Sequence, residues 1–372
     1  MIELGVDEMT IVLQANADTM DAMSLDDWPG VADRMVQTFL GLTELKNIYG
    51  PAVPEPRCPN GYTEAITLGE HGFYLAIAVN ERQPRMGVCI RLSAQATAFF
   101  IENAGEPYLL LQAAYSPDDY DMHLSRIELT VDYIDEGLSV TDIYRGLTSG
   151  SITVMREQVD SRTSELKERK TASKLSGYAV SDKVPTFYLG SRKANVDALL
   201  RVYDKKTEQI EKKGVRLTRA NSCDDWVRFE ASLRHGYARQ FGDALLDIEN
   251  DAELAVMVAS VFLQRYRFYI AGDKDAGLAP WTQSLANAIG TRSIRLSSDT
   301  SRNNDLAASL DYIVKGSGLL PLLYKSAAIW GDEAPEAVMA WILGKLNSFE
   351  PDPDHRGWIK AVQQIMRGLS RK

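Results

Sequence analysis

The chain has 372 residues, of which 45% are hydrophobic and 25% are charged, a composition typical of a globular protein of about two domains. No apolar run approaches the ~20 residues that span a bilayer, and the N-terminal residues lack signal-peptide features, so we expect a cytoplasmic protein without a membrane partner. Its three cysteines are far apart, which argues against a disulfide framework or a zinc-binding motif.

The charge is distributed unevenly along the chain. The net charge of −10 argues weakly against nucleic-acid binding, because lysine and arginine supply most of the affinity for phosphates. Between Thr186 and Arg239, however, twelve Lys and Arg residues stand against seven Asp and Glu residues, a net charge of +5 that leaves −15 for the rest. A basic segment in an acidic protein indicates a local site for an anionic partner.

The first 115 residues contain strand and helix patterns. A strand is predicted from near Val6, and "DDWPGVADRMVQTFLGL" has helical spacing with Pro29 near its start. A loop rich in proline and glycine precedes three strand segments: "YTEAITLGE", "GFYLAIAVN" and "MGVCIRLS". Helices are predicted from about Ala94 and in "PYLLLQAAY".

The next segment is richest in strands. "HLSRIELTVDYIDEG" predicts a strand, "SVTDIYRGLTSG" a short helix, and the polar "SELKERKTASKLSGYAVSDK" a mobile loop. "TFYLG" and "ALLRVYDK" predict two strands joined by a turn, followed by a charged helix in "KKTEQIEKKG" and a strand in "DDWVRFEASLRHG". Beyond Phe241, helices are predicted in "DALLDIENDAELAVMVASVFLQRYRFYIAG", "NDLAASLDYIVKG", "PEAVMAWILGKLNSF" and "WIKAVQQIMRGLS". The sequence therefore predicts an α+β domain at residues 1–245 and a mostly helical region at residues 246–372.

Three of the strands are predicted to have one apolar face and one polar face, because side chains alternate along a strand. The polar faces carry Arg126, Glu128, Thr130 and Asp132; Arg201, Tyr203 and Lys205; and Trp226, Arg228, Glu230, Ser232 and Arg234. In one antiparallel sheet, these faces would bring carboxylates together with a tyrosine and several cations. A sheet face that is simply solvated is the alternative interpretation.

The chemistry of this set indicates a catalytic site. Three converging carboxylates suit Mg²⁺ or Mn²⁺. A tyrosine beside Arg and Lys has cations that stabilise its phenolate, which it needs because its ordinary pKa is about 10. Metal-assisted phosphoryl transfer with a tyrosine nucleophile is the reaction that this combination favours.

These segments together resemble the replication initiators of Gram-positive rolling-circle plasmids, a family that includes phage initiators and the relaxases of integrative conjugative elements. The resemblance covers about residues 124–239 and depends on "SRIELTVD", "YLGSRKANVDALLRVYDKK" and "WVRFEASLR". "VDEMTIV" near the N-terminus is similar to a segment of some members. The resemblance implies an antiparallel nicking sheet like that of HUH enzymes, but without their metal-binding histidine pair.

The resemblance also implies residue roles. The nucleophile would be Tyr203, with Arg201 and Lys205 as its catalytic partners. The ligands of Mg²⁺ or Mn²⁺ would be the acids of the neighbouring strands, Glu128, Asp132 and Glu230. Contacts with DNA would come from Tyr188, Ser191, Arg192, Lys193 and Arg228. Where the family has a serine after "GSRK", this chain has Ala194, a change that leaves the proposed chemistry intact.

The implied activity is sequence-specific DNA nicking and strand transfer through a 5′-phosphotyrosine intermediate, which initiates rolling-circle replication. The expected partners are origin DNA, single-stranded DNA, a host helicase and a second copy of the chain. A relaxase of a conjugative element would use the same chemistry. A non-catalytic DNA-binding protein of the same fold, and a structural protein with a solvated basic face, stay open as alternatives.

Overall fold

The computed structural model describes residues 1–59, 61–69, 75–159, 166–170, 174–180, 183–193, 196–214, 216–270, 277–290 and 319–345. The chain divides into two compact units. The first comprises residues 1–158 and 168–298, and the second comprises residues 159–167 and 299–372. No helix within the described ranges is long and apolar enough to cross a membrane.

Thirteen strands lie in the described part of the chain. They are β1 (Ile2–Gln14), β2 (Ala52–Pro54), β3 (Glu64–Leu68), β4 (Leu75–Val79), β5 (Val88–Leu92), β6 (Asp121–Ile134), β7 (Ile152–Val159), β8 (Leu166–Lys170), β9 (Leu175–Val180), β10 (Lys183–Leu189), β11 (Ala198–Asp204), β12 (Trp226–Arg234) and β13 (Arg267–Ile270). Ten of them form one sheet in the order β2-β3-β4-β5-β1-β6-β12-β11-β10-β9, and all neighbours in it are antiparallel. The predicted α+β fold with a large antiparallel sheet is confirmed.

The helices flank this sheet or follow it. They are α1 (Ala17–Ala22), α2 (Trp28–Thr43), α3 (Leu45–Tyr49), α4 (Ala94–Ala104), α5 (Pro107–Ala114), α6 (Val140–Ser149), α7 (Lys205–Lys212), α8 (Leu217–Ser222), α9 (His235–Leu245), α10 (Asp251–Arg265), α11 (Pro280–Ile289), α12 (Leu319–Trp330) and α13 (Ala334–Gly344). Short 3₁₀ turns lie at Leu25–Asp27 and Pro84–Met86. The last two α-helices belong to the second unit and pack against each other.

The apolar face of the sheet is the main hydrophobic core. Ile127 and Leu129 of β6 lie opposite Leu233 and Ala231 of β12, and all four are fully buried. Helix α9 packs on β6 and β12, and α10 packs on β1 and β6. Burial of each large aliphatic side chain contributes about 1.5–3 kcal/mol, so the alternation seen in the sequence decides which face turns inward.

The opposite face of the same strands is polar, and α8 covers one end of it. Trp226 of β12 and Ile134 of β6 form a small separate hydrophobic cluster with Ala220 and Cys223. Beside this cluster, Arg219 of α8 pairs with Glu3 of β1 at 2.8 Å. The remainder of the polar face holds the ionisable residues predicted for the site.

Two segments differ from their predicted structure. The basic segment predicted as a mobile loop contains two strands, β8 and β9, and β9 pairs with β10 from Lys183↔Val180 to Leu189↔Leu175 at the edge of the sheet. "RYRFYI", predicted as helix, contains β13, which pairs with β7 in a second sheet of three strands with β8. At β13, backbone pairing with a distant strand overrides the local preference, whereas β9 forms a hairpin with β10, the next strand along the chain.

The predicted domain boundary near residue 245 stays a prediction. Helices α10 and α11 contribute Met257, Phe262 and Leu285 to the core that the sheet also lines. The predicted helices "NDLAASLDYIVKG" and "WIKAVQQIMRGLS" lie outside the described residues.

Candidate active site

The polar faces of four adjacent strands meet in the centre of the sheet. Antiparallel pairing places Arg201 of β11 opposite Glu230 of β12, and Tyr203 opposite Arg228. On the other side of β12, Arg228 lies opposite Asp132 of β6. The predicted convergence of carboxylates, tyrosine and cations on one face is therefore present.

Three carboxylates on this face lie close enough to share a metal ion. One oxygen atom from each of Asp7, Glu128 and Glu230 lies within 4.8 Å of the other two. They come from β1, β6 and β12, which are consecutive strands of the sheet. Two of the three predicted ligands belong to this group, whereas Asp132 does not.

A β-bulge brings Asp7 into the group. Val6 pairs with Leu129 and Glu8 pairs with Glu128, so Asp7 is an extra residue without a partner on β6. A bulge bends its strand and redirects the side chain of the extra residue. Because of this bulge, the neighbours Asp7 and Glu8 both lie beside the central acid Glu128.

Glu128 and Glu230 are difficult to ionise together. Burial and the adjacent Glu128 carboxylate raise the pKa of Glu230 to about 7, against the opposing effect of Arg201. Burial also raises the pKa of Glu128, against the effect of Arg126, which donates a hydrogen bond to it. Such a concentration of buried negative charge favours a bound cation.

Tyr203 lies beside the acidic group, and its hydroxyl contacts one carboxylate and one ammonium group. The hydroxyl donates to Glu230 Oε2 at 3.3 Å and accepts from Lys205 Nζ at 3.2 Å. The Arg201 guanidinium lies over the tyrosine ring, with its central carbon 3.9 Å from the ring centroid. Burial raises the pKa of Tyr203 well above 10, so its ionisation requires these cations or a metal.

The chain turns from strand to helix directly after the tyrosine. Asp204 is the N-cap of α7, and its side chain accepts hydrogen bonds from Thr207 N at 2.8 Å and Thr207 Oγ1 at 2.7 Å. An N-cap carboxylate satisfies a helix N–H that would otherwise be unpaired. Lys206 Nζ ties the same turn to the loop before β12 by donating to the Cys223 and Asp224 carbonyls at 2.7 and 3.0 Å. Lys205 is therefore the first residue of a well-anchored helix.

The structure places Asp132 and Arg228 in a buried ion pair. Arg228 donates to both carboxylate oxygens of Asp132, at 2.7 and 2.6 Å, and from Nη1 to Asp7 at 2.6 Å. Both side chains are 3% exposed. Burial works to raise the pKa of Asp132, but Arg228 outweighs it and holds that pKa below its ordinary value. Neither residue faces solvent, although we predicted a metal ligand and a DNA contact at these positions.

The other residues predicted to contact DNA lie at the end of β10. Tyr188 is half-buried and lies opposite Arg201, on the same face as Tyr203. The Arg192 guanidinium carbon lies 4.9 Å from the Tyr188 ring centroid. Arg192 and Lys193 are exposed, and Ser191 is half-buried and accepts from Lys193 N at 3.3 Å. Ala194 is outside the described residues.

No histidine of the described ranges belongs to a metal-ligand group. His123 lies at the start of β6, where burial and Arg239 lower its pKa to about 4. His235 is the first residue of α9 and adopts a left-handed backbone conformation, with φ of 50°. The remaining two, His71 and His355, lie outside the described residues.

Comparison with known proteins identifies the family. The family model described as "Replication initiation factor" matches residues 122–320, more than half of the chain. This chain belongs to the replication initiation factor family. The predicted resemblance is confirmed, and the matched region includes β6, β11 and β12, the strands that carry Glu128, Tyr203 and Glu230.

The fold of this replication initiation factor is also found in a solved structure. The rolling circle replication initiator protein from Geobacillus stearothermophilus superposes with a TM-score of 0.50, over 78% of this chain and 100% of its own, at 17% sequence identity. No curated protein sequence matches the chain.

The sequence contained a signal for Asp7, the member of the acidic group that we did not predict. The apolar residues of β1 alternate as Ile2, Leu4 and Val6, and then as Met9, Ile11 and Leu13. The period of two slips by one residue between Val6 and Met9, which is where the bulge places Asp7 and Glu8. Glu208, which accepts a hydrogen bond from Lys205 Nζ at 2.7 Å, was also not predicted, because it lies one helical turn after Lys205 and on no strand.

Proposed function

We propose that this replication initiation factor nicks and transfers DNA at its origin, with Tyr203 as the nucleophile. One observation carries the proposal: the Tyr203 hydroxyl lies between Glu230, a member of a three-carboxylate group, and the cation Lys205. A phenol beside a metal-binding group and an ammonium is suited to nucleophilic attack on phosphorus. A merely solvated sheet face would not bury its charged residues, as this face does.

The proposed reaction is a transesterification. The Tyr203 oxygen forms a bond to the scissile phosphorus, and the bond from phosphorus to the 3′ oxygen breaks. The phenolic proton leaves towards Glu230 Oε2, its hydrogen-bond acceptor, and the 3′ oxygen takes up a proton from water. The products are a 5′-phosphotyrosine and a free 3′-OH. Reversal of these steps joins the held 5′ end to another 3′-OH.

A divalent metal ion fits the acidic group. The three oxygens lie within 4.8 Å of one another, and the raised pKa of Glu230, about 7, reflects buried negative charge that a cation would stabilise. An all-carboxylate ligand set is typical of Mg²⁺ or Mn²⁺. We propose Asp7, Glu128 and Glu230 as the ligands. When bound, the metal would polarise a phosphoryl oxygen and stabilise transition-state charge.

Asp132 and Arg228 take a supporting role in this proposal. Arg228 connects Asp132 to the proposed ligand Asp7, so it orients that carboxylate from a buried position. Contact with DNA is assigned to the exposed Arg192 and Lys193, together with Ser191 and the Tyr188 ring. Aromatic rings and guanidinium groups bind single strands by stacking and charge.

Covalent capture tests the proposal. Labelled single-stranded oligonucleotides that tile the chain's own gene and its flanking DNA are incubated with the protein and Mn²⁺, and adducts are separated on a denaturing gel. We expect a metal-dependent adduct with wild type and with Tyr188→Phe, and none with Tyr203→Phe. DNA binding without an adduct would favour a non-catalytic DNA-binding protein, and an adduct lost only in Tyr188→Phe would transfer the nucleophile to Tyr188.

The biological setting is a separate matter from the chemistry. A plasmid or phage initiator and a relaxase of a conjugative element would use the same residues. The cytoplasmic location, the host helicase and the homodimer stay predictions.

A further inference from the structure

Glu208 on α7 forms ion pairs with three cations near Tyr203. Its Oε2 accepts from Lys205 Nζ at 2.7 Å, and its Oε1 lies 2.9 Å from Lys212 Nζ and 4.0 Å from Arg201 Nη2. Two of these three cations contact Tyr203, one at the hydroxyl and one over the ring. Glu208 therefore connects both cationic neighbours of the tyrosine while making no contact with it.

The local structure explains why this acid occupies this position. Lys205 is the first residue of α7 and Glu208 is one turn later, so the two side chains lie on the same face of the helix. The helix start is held by the Asp204 cap, which limits the positions that Lys205 can reach. A lysine has four flexible side-chain bonds, and a partner that fixes its ammonium reduces the entropy lost in each reaction cycle.

We propose that Glu208 is a positioning residue for the reaction of Tyr203: it holds Lys205 at the tyrosine oxygen and Arg201 over the ring. The inference rests on the proposed role of Tyr203. Hydrogen bonds from Lys205 and Lys212 outweigh burial and lower the pKa of Glu208 to about 2, so the acid is ionised at neutral pH. It thus presents a fixed negative charge to both cations at neutral pH.

The negative charge that pairs with Lys205 comes from Glu208 and not from the proposed metal ligands. Glu208 lies on a helix, whereas Asp7, Glu128 and Glu230 lie on strands, and Arg201 forms ion pairs with Glu208 and with Glu230. Removal of Glu208 would therefore release Lys205 without removing a proposed metal ligand. The expected defect is in the rate of the chemical step, with DNA affinity and metal affinity preserved.

The test compares Glu208→Gln and Glu208→Asp with Glu211→Gln, a matched loss of charge at an exposed position of the same helix. The probe is the oligonucleotide pool that gives an adduct with wild type, used under single-turnover conditions. We expect Glu208→Gln to slow adduct formation by about 10- to 100-fold with unchanged DNA affinity, by analogy with outer residues that orient reactive groups. Glu208→Asp should recover part of the rate, and Glu211→Gln should match wild type.

A double-mutant cycle separates positioning from a structural effect. If Glu208 acts through Lys205, adding Glu208→Gln to Lys205→Gln should cost less rate than Glu208→Gln costs alone, because the contribution through Lys205 is already lost and only that through Arg201 is left. Thermal unfolding of each variant shows whether a slow variant is also unfolded. Additive losses, a wild-type rate for Glu208→Gln, or a defect in DNA affinity alone would overturn the inference while leaving Tyr203 as nucleophile. Adduct formation that survives Tyr203→Phe would overturn the proposed function and this inference together.

Discussion

The carboxylates of Asp7 and Glu230 approach each other to within 4.8 Å although β6 lies between their strands. Strands two positions apart in a sheet are separated by about 10 Å, so parallel side chains on them would not meet. The bulge at Asp7 and the reach of Glu230 towards Glu128 close this gap. The acidic group is therefore a property of three strands, and none of them forms it alone.

We expect Asp7→Asn and Glu230→Gln each to weaken Mn²⁺ binding by at least about tenfold, because each removes one charged ligand. Glu8→Gln is the matched control: Glu8 is adjacent to Asp7 and pairs with Arg91 and Arg126 outside the ligand group. Calorimetric titration of the protein with Mn²⁺ measures the effect. Equal loss in all three variants would mean that the ions bind to diffuse negative charge and not to this group.

We expect Asp132→Asn to lower the free energy of unfolding by about 3–5 kcal/mol, since it removes the charge of the carboxylate that accepts two hydrogen bonds from the buried Arg228 guanidinium. Asp142→Asn on α6 removes an exposed acid whose nearest cation, Arg145, is 4.0 Å away, and it should change stability by less than about 0.5 kcal/mol. Urea unfolding at pH 7 compares the two. A stable Asp132→Asn variant with weakened Mn²⁺ binding would restore Asp132 as a metal ligand.

We expect the stability difference between wild type and Glu208→Gln to depend on pH. The folded-state pKa of Glu208, about 2, is lower than its ordinary value of 4.5, so its contribution is complete above pH 4.5 and is lost as the pH falls towards 2. Because the side chain is partly solvated, the contribution at pH 7 should be about 1–2 kcal/mol. Urea unfolding of both proteins at pH 7, 4 and 3 measures it. A difference that grows on acidification would contradict the assigned direction.

We expect the double variant Arg192→Gln with Lys193→Gln to bind single-stranded DNA more weakly and with less salt dependence. Each phosphate contact contributes about 0.7 to the slope of log affinity against log salt for single strands, so the slope should fall by about 1.4. Fluorescence anisotropy with a labelled oligothymidine between about 50 and 200 mM NaCl measures it. Lys46→Gln on α3, an exposed lysine outside β10–β12, should leave the slope unchanged.

The sequence predicted the faces of β6, β11 and β12 because a buried face imposes a period of two on the residues. We also predicted Lys205 beside Tyr203. The two side chains are in contact, but the reason differs from the one we gave. We assigned Lys205 to the strand face, whereas β11 ends at Asp204 and Lys205 reaches the tyrosine from the first position of α7.

The assignment of the acids was less predictable, because it depends on pairing across strands. The alternation of side chains along β6 placed Asp132 on the polar face. Arg228 lies directly opposite Asp132 and forms an ion pair with it, so Asp132 does not join the carboxylate group. The slipped alternation of β1 indicates a bulge near Asp7, but which acids lie beside it depends on the alignment of β1 with β6. The edge strand β9 was missed for a similar reason, since its polar residues satisfy their backbone through β10.

The slipped alternation of β1 also has a consequence for changes in chain length. Before the bulge, the side chains that face the core are at even positions, Leu4 and Val6. After it, they are at odd positions, Met9 and Ile11. Removal of position 7 would delete the extra residue of the bulge, so Val6, Glu8 and Met9 would continue in regular alternation opposite β6 with the apolar side chains still facing the core. A strand shortened in this way would keep its core and lose Asp7, so a relative without the activity is free to lose the position altogether.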